Sequence, residues 1–124
     1  MMDISKGRLG PHEGKEIELL LSGEKAVAVF VEGLPRTAEG PLQDSKLKHF
    51  KKLIPTTKDI NLEADFLFLP GHERAAKDLA ELMKKSMSSP GYDASLERQI
   101  GSLLGYSQLD IEMYIQNLKD LGRL

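Results

Sequence analysis

The chain contains no cysteine. Disulfide frameworks, thiolate nucleophiles and cysteine-ligated zinc are therefore excluded, and secretion gains no support. A strong excess of one charge is also missing. With 17 basic and 19 acidic residues the formal net charge is -2, so no global field draws the protein toward nucleic acid or an anionic membrane. No apolar run approaches the ~20 residues of a membrane helix, and the opening Met-Met-Asp-Ile-Ser-Lys-Gly-Arg lacks the apolar core of a signal peptide. A cytoplasmic protein with no membrane contact is the expectation.

What is present is a chain of 124 residues, 40% of them hydrophobic, enough to build one domain around a buried core. Ile17, Leu20 and Leu21 recur at helical spacing after Gly10-Pro11 and before Ser22-Gly23, which predicts a helix. Residues 26–31 are continuously apolar and rich in β-branched side chains, so they read as a strand buried on both faces at the centre of a sheet. Gly33, Pro35, Gly40 and Pro41 mark 33–43 as a loop. Leu47, Phe50, Leu53 and Ile54 then predict a helix over 45–54, capped by Asp44 or Ser45 and stopped by Pro55.

The segment 56–62 suits either a weak strand or an extended connection. A second apolar strand at 66–69 ends at Pro70-Gly71. An amphipathic helix follows, with Ala75, Ala76, Leu79, Ala80, Leu82, Met83 and Met87 inward and Glu73/Lys77 and Glu81/Lys85 as i, i+4 pairs. Ser88-Ser89-Pro90-Gly91 separates an α/β core at 1–87 from a helical hairpin at 88–124, the two packed as one domain. The fold class expected is α/β or α+β, with a small two- to three-stranded sheet covered by helices and a C-terminal two-helix hairpin. A crossover helix at 45–54 would make the strands parallel. Two strands make a poor sheet, so either 56–62 or a second copy of the chain is expected to complete it.

Four groups of residues could carry function. Residues 100–115 resemble a helix-turn-helix: Gly101 suits the helix crossing, Leu104-Gly105 the turn, Ser107 the cap and Ile111 the packing position. Asp110 and Glu112 would nevertheless face phosphate and repel it. Gln108 could address adenine. The same residues make a structural helical hairpin whose seam is Ile100, Leu103, Leu104, Ile111, Tyr114, Ile115 and Leu118. Lys46, Lys48, His49, Lys51 and Lys52 form a basic cluster without an internal carboxylate, suited to an acidic partner or an anion. At the junction 70–74, His72 and Arg74 stand where a strand meets a helix, a common anion site. His12, Glu13, His72 and Glu73, with Glu16, could form a mixed His/carboxylate set, prompted by the echo of Gly-Pro-His-Glu at 10–13 and Pro-Gly-His-Glu at 70–73. Their spacing lacks the paired histidines of a zinc helix.

The reading these observations favour is a non-catalytic regulatory or adaptor protein that binds other proteins. An acidic partner would meet the 46–52 cluster and Arg74, and self-association would run through the sheet edge or the helical tail. No cofactor or metal is expected, and nucleic acid is disfavoured. The alternatives are a DNA-binding regulator acting through 100–115, and a small enzyme or anion binder acting at 70–74.

Overall fold

A computed structural model describes residues 12, 14–31 and 33–124. Helix α1 (Glu16–Ser22) forms on the Ile17, Leu20, Leu21 stripe. It ends where Gly23 turns left-handed at φ 83° and returns its N–H to the Leu20 carbonyl, a geometry that glycine adopts without steric cost. Gly10, Pro11 and Glu13 lie outside the described residues. Strand β1 (Val27–Phe30) follows, then a 3-10 turn (Arg36–Ala38) that runs into α2 (Glu39–Gln43). The interval expected as a loop therefore holds two short helical pieces. Pro41 fits because it sits in the first turn of α2, where its missing N–H has no intrahelical partner to lose.

Strands β2 (Lys48–Pro55) and β3 (Asn61–Phe68) form a hairpin, and β3 also pairs with β1, so the sheet order is β1-β3-β2. The fold is α+β, with every strand pairing antiparallel. Three sequence expectations are overturned here. The segment 45–54 is mostly strand, not helix. Its apolar residues fit helical spacing, but Phe50, Lys52 and Ile54 also alternate with His49, Lys51 and Leu53. Pairing along the whole of β2 with β3 outweighs the helix preference of lysine. Asp44 closes α2 instead of opening a new helix, and Ser45 takes φ 60° in the turn that enters β2.

The strands are therefore not parallel neighbours: a tight turn joins β2 to β3 as a hairpin. The longer connection from β1 through the 3-10 turn and α2 skips one strand position, so β3 lies antiparallel between them. The segment 56–62 is chiefly the β2–β3 turn, where the Thr56 hydroxyl donates to the Ile60 carbonyl at 2.7 Å, and only its last two residues enter β3. Finally, β1 is an edge strand. Val27 and Ala28 are buried on its two faces, but Val31 beyond it is 41% exposed. The centre is β3, whose residues 64–68 are all buried.

Helix α3 (Glu73–Met87) lays Ala76, Leu79, Ala80 and Met83 on one sheet face, against Val27, Ile54, Ala64, Phe66 and Phe68. Phe50 stacks on Phe66 at 5.0 Å between ring centres. Helix α4 (Ala94–Leu103) adds Ile100, and Leu104 at its end, to the same core. The other face carries Ala28 and Leu67 beneath Leu20, Ala38 and Leu47. This second layer is incomplete, and Leu53 on that face stays 54% exposed.

Helix α5 (Gln108–Asp120) packs back on α4 through Ile111 and Ile115, with Ala94, Tyr106 and Tyr114 beside them. Glu97 of α4 is fully buried. It accepts a hydrogen bond from the Tyr114 hydroxyl at 3.1 Å and a longer one from Ser86 at 3.4 Å, which links three helices through one carboxylate.

Phe66 sits at the meeting point of the sheet with α3. Phe66→Ala is expected to cost about 3–5 kcal/mol in a chemical denaturation experiment. Leu53→Ala, on the uncovered part of the sheet, is expected to stay within about 0.5 kcal/mol of the parent.

Candidate functional site

The basic cluster lies on β2 and in the turn before it. Strand alternation divides it: Lys48 and Lys52 share the face of Phe50 and Ile54, while His49 and Lys51 share the partly open face with Leu53. Burial decides the fate of each charge. Asp65 of β3 is 5% exposed, and a carboxylate so enclosed requires a polar partner. His49 supplies it, with Nε2 at 2.7 Å from Asp65 Oδ1. Lys52 reaches across to α3 and holds Glu81 at 2.9 Å. That hydrogen bond keeps the Glu81 carboxyl below its ordinary value, and Glu81 therefore pairs with the sheet instead of the expected Lys85.

Lys51 lies 4.0 Å from Glu63, and both side chains are more than half exposed (53% and 66%), a contact worth little in water. Lys46 and Lys48 meet no carboxylate among the described residues. The segment 46–52 itself holds no carboxylate, and carboxylates from β3 and α3 engage His49 and Lys52 while Lys51 meets Glu63 only at 4.0 Å.

At the other candidate junction, the Leu69 N–H donates to Ala26, Pro70-Gly71 turns with Gly71 at φ 90°, and His72 stands at the N-cap of α3. Arg74 is 89% exposed along its side chain and pairs with Asp78 at 3.3 Å, while Glu73 holds Lys77 at 3.4 Å. The charges here are engaged along the helix surface. No group of three His, Asp or Glu residues able to hold a metal occurs among the described residues.

His12 makes its described contacts around Lys25 and Tyr106, a cluster for which the sequence offers no signal. Lys25 reads there only as the polar boundary of an apolar run, yet it is 3% exposed. Its ammonium donates to the Leu104 carbonyl at the end of α4 and lies 3.0 Å from His12 Nδ1. The His12 ring stacks on Tyr106 at 4.0 Å, and the Lys25 nitrogen stands 5.2 Å from the centre of the Tyr106 ring. Burial brings the Lys25 amine down to about 8, Glu16 opposing the shift, and burial together with Lys25 lowers His12 as well. A cation at a helix C-terminus with a carbonyl acceptor is a cap, and this one joins α1, β1 and the α4–α5 turn.

The turn itself forms as expected. Gly105 takes φ 84°, and the Asp110 N–H donates to Ser107 Oγ at 3.1 Å. Glu112 accepts a two-pronged contact from Arg98 at 2.9 and 3.0 Å and a third from Gln108 at 3.0 Å. This engages Gln108, the side chain expected to address adenine, and Leu109 (70% exposed) and Met113 (50%) occupy the outer face.

The chain matches no protein-family model, and comparison with curated proteins and with solved structures finds no similar protein. Fold and site chemistry therefore carry the functional reading.

The Lys25 cluster makes stability depend on pH. Unfolding returns the amine from about 8 to its ordinary 10.5, so within that window the unfolded chain retains a proton that the folded chain has released. Stability is expected to rise with pH across the window. Denaturation at about pH 7.5 and about pH 9.5 should show the rise in the parent and lose it in Lys25→Met. Below the ordinary His12 value of 6.5 the sign is the same: acid favours the unfolded chain and stability falls.

Proposed function

We propose that the protein is a non-catalytic protein-binding module whose contact surface is the basic strand β2 and the turn that leads into it. The observation that carries this reading is the exposure of Lys46, Lys48 and Lys51 with little or no neutralisation by the protein's own carboxylates. In a chain of net charge -2, such a patch makes a local positive field, which steers an oppositely charged surface and selects it over others. The partner is acidic. The alternative of DNA reading by the hairpin lacks support in charge, because Arg98 is engaged by Glu112 and the outer face of α5 is apolar. Chemistry at 70–74 lacks a set of convergent polar groups. Self-association through the tail would use Leu109 and Met113.

Titration of isotope-labelled protein with poly-glutamate is expected to move backbone amide signals at 46–53, with an effect that shrinks as salt is added. The variant Lys46→Gln/Lys48→Gln/Lys51→Gln is expected to lose the response while remaining within about 0.5 kcal/mol of parental stability. A mixed-sequence duplex at low salt is expected to leave the signals of 98–112 in place. Shifts centred on 72–74 would move the assignment to the helix start, and shifts along α5 with duplex would restore the DNA reading.

A further inference from the structure

We infer that the outer edge of β2 accepts an extended acidic segment of a partner protein as an added strand. The inference rests on the basic-strand reading above and specifies how the partner is held. In the order β1-β3-β2, strand β2 is hydrogen-bonded to β3 on one side, and no strand pairs with its other side among the described residues. Alternate backbone N–H and C=O groups along the eight residues of β2 therefore face outward, a ready template for a further strand. The shorter edge, β1, has four residues and offers half the ladder.

Charge selects the occupant. A second copy of β2 would lie antiparallel about a two-fold axis. Of the four registers that overlap five or more of its residues, the three centred on Phe50, Lys51 and Lys52 set like charges side by side, while the one centred on Leu53 does not. Centring on Phe50 opposes Lys48 to Lys52 and His49 to Lys51. Centring on Lys51 or Lys52 sets that residue against its own copy. Like charges directly opposite are destabilising in a sheet, so three of these four registers resist a second copy. A segment with carboxylates meets the reverse condition.

On the partly open face the incoming chain passes Lys51, whose contact with Glu63 is long and exposed, and then Leu53, which is 54% exposed. The fitting segment therefore carries an acidic side chain opposite Lys51 and an apolar one two residues along, opposite Leu53. Lys48 and Lys46 extend the positive field toward one end. Lysines on an edge strand also serve simply to repel other strands. That role predicts no ladder with any peptide, and the experiment separates the two.

The probe is a blocked peptide in which Glu and Val alternate along one face and Thr fills the other, titrated into labelled full-length protein. Two further probes are the same peptide methylated at every backbone nitrogen and a version with Gln for Glu. The parent peptide is expected to slow amide exchange at alternate residues within 48–54. Backbone methylation keeps the charge but removes the donors, and is expected to weaken binding by at least about tenfold, as loss of two or more hydrogen bonds implies. The Gln version and the protein variant Lys48→Gln/Lys51→Gln are each expected to weaken it severalfold.

If the methylated peptide binds as well as the parent, strand addition is wrong while the basic-surface reading stands. If the lysine variant binds the parent peptide unchanged, both fail. If no peptide binds and no amide slows, the lysines only repel other strands and the inference is overturned.

Discussion

Residues 64–68 of β3 run five in succession out of water, and one of them is Asp65. A strand buried on both faces needs cover on both sides, which α3 and α4 supply on one face and α1 with the 3-10 turn on the other. The carboxylate adds a stricter demand, because a buried charge without a partner is costly. His49 meets it across the sheet, two residues before the position that pairs with Asp65 in the register. A slip of one residue would turn His49 to the opposite face. The same contact therefore helps to place Lys51 on the open face and Lys48 and Lys52 on the other, and so to arrange the charges available to a partner.

A second buried charge ties the hairpin to this sheet. Lys25 stands two residues before β1, donates its backbone N–H to the Leu19 carbonyl of α1, and sends its ammonium to the carbonyl at the end of α4. The position that a side chain on Gly105 would occupy lies 3.5 Å from the Lys25 stem, so the turn closes directly over the aliphatic part of the lysine. Removing the amine would leave the last carbonyl of α4 without this donor, in a place where backbone groups are normally paired. Helix α5 depends on the arrangement through Tyr106, which borders both the Lys25 cluster and the small core of Ile111 and Ile115.

Placing the lysines on a strand, and not on a helix, changes what they can recognise. On a helix they would form a solvated outer face whose backbone is internally bonded, offering charge alone. On an edge strand the same charges flank backbone donors and acceptors that no strand among the described residues pairs, groups of the kind that can hold an added strand in a fixed direction and register. The pairs that the strand makes also sort the cluster. Asp65 and Glu81 engage His49 and Lys52, and the other three cations are left to the surface.

The sequence by itself determined the elements whose signals are local. The α1 stripe closed by Gly23, the inward face of α3 and the Gly105–Ser107 turn of the hairpin follow from spacing, a left-handed glycine and a hydroxyl cap, all within a few residues. The exposed character of Lys46, Lys48 and Lys51 was also legible, since charged side chains between apolar ones seek water. Tertiary structure decided the rest. Leu47, Phe50, Leu53 and Ile54 satisfy two periodicities, and only the length of β3 available for pairing chose the strand. The edge position of β1 depended on which strands lie beside β3, a contact between distant segments. Burial of Lys25 depended on α4 ending over it, 79 residues along the chain. Nothing in the residues around Lys25 encodes that burial, because the carbonyl it caps becomes its neighbour only when the chain has folded.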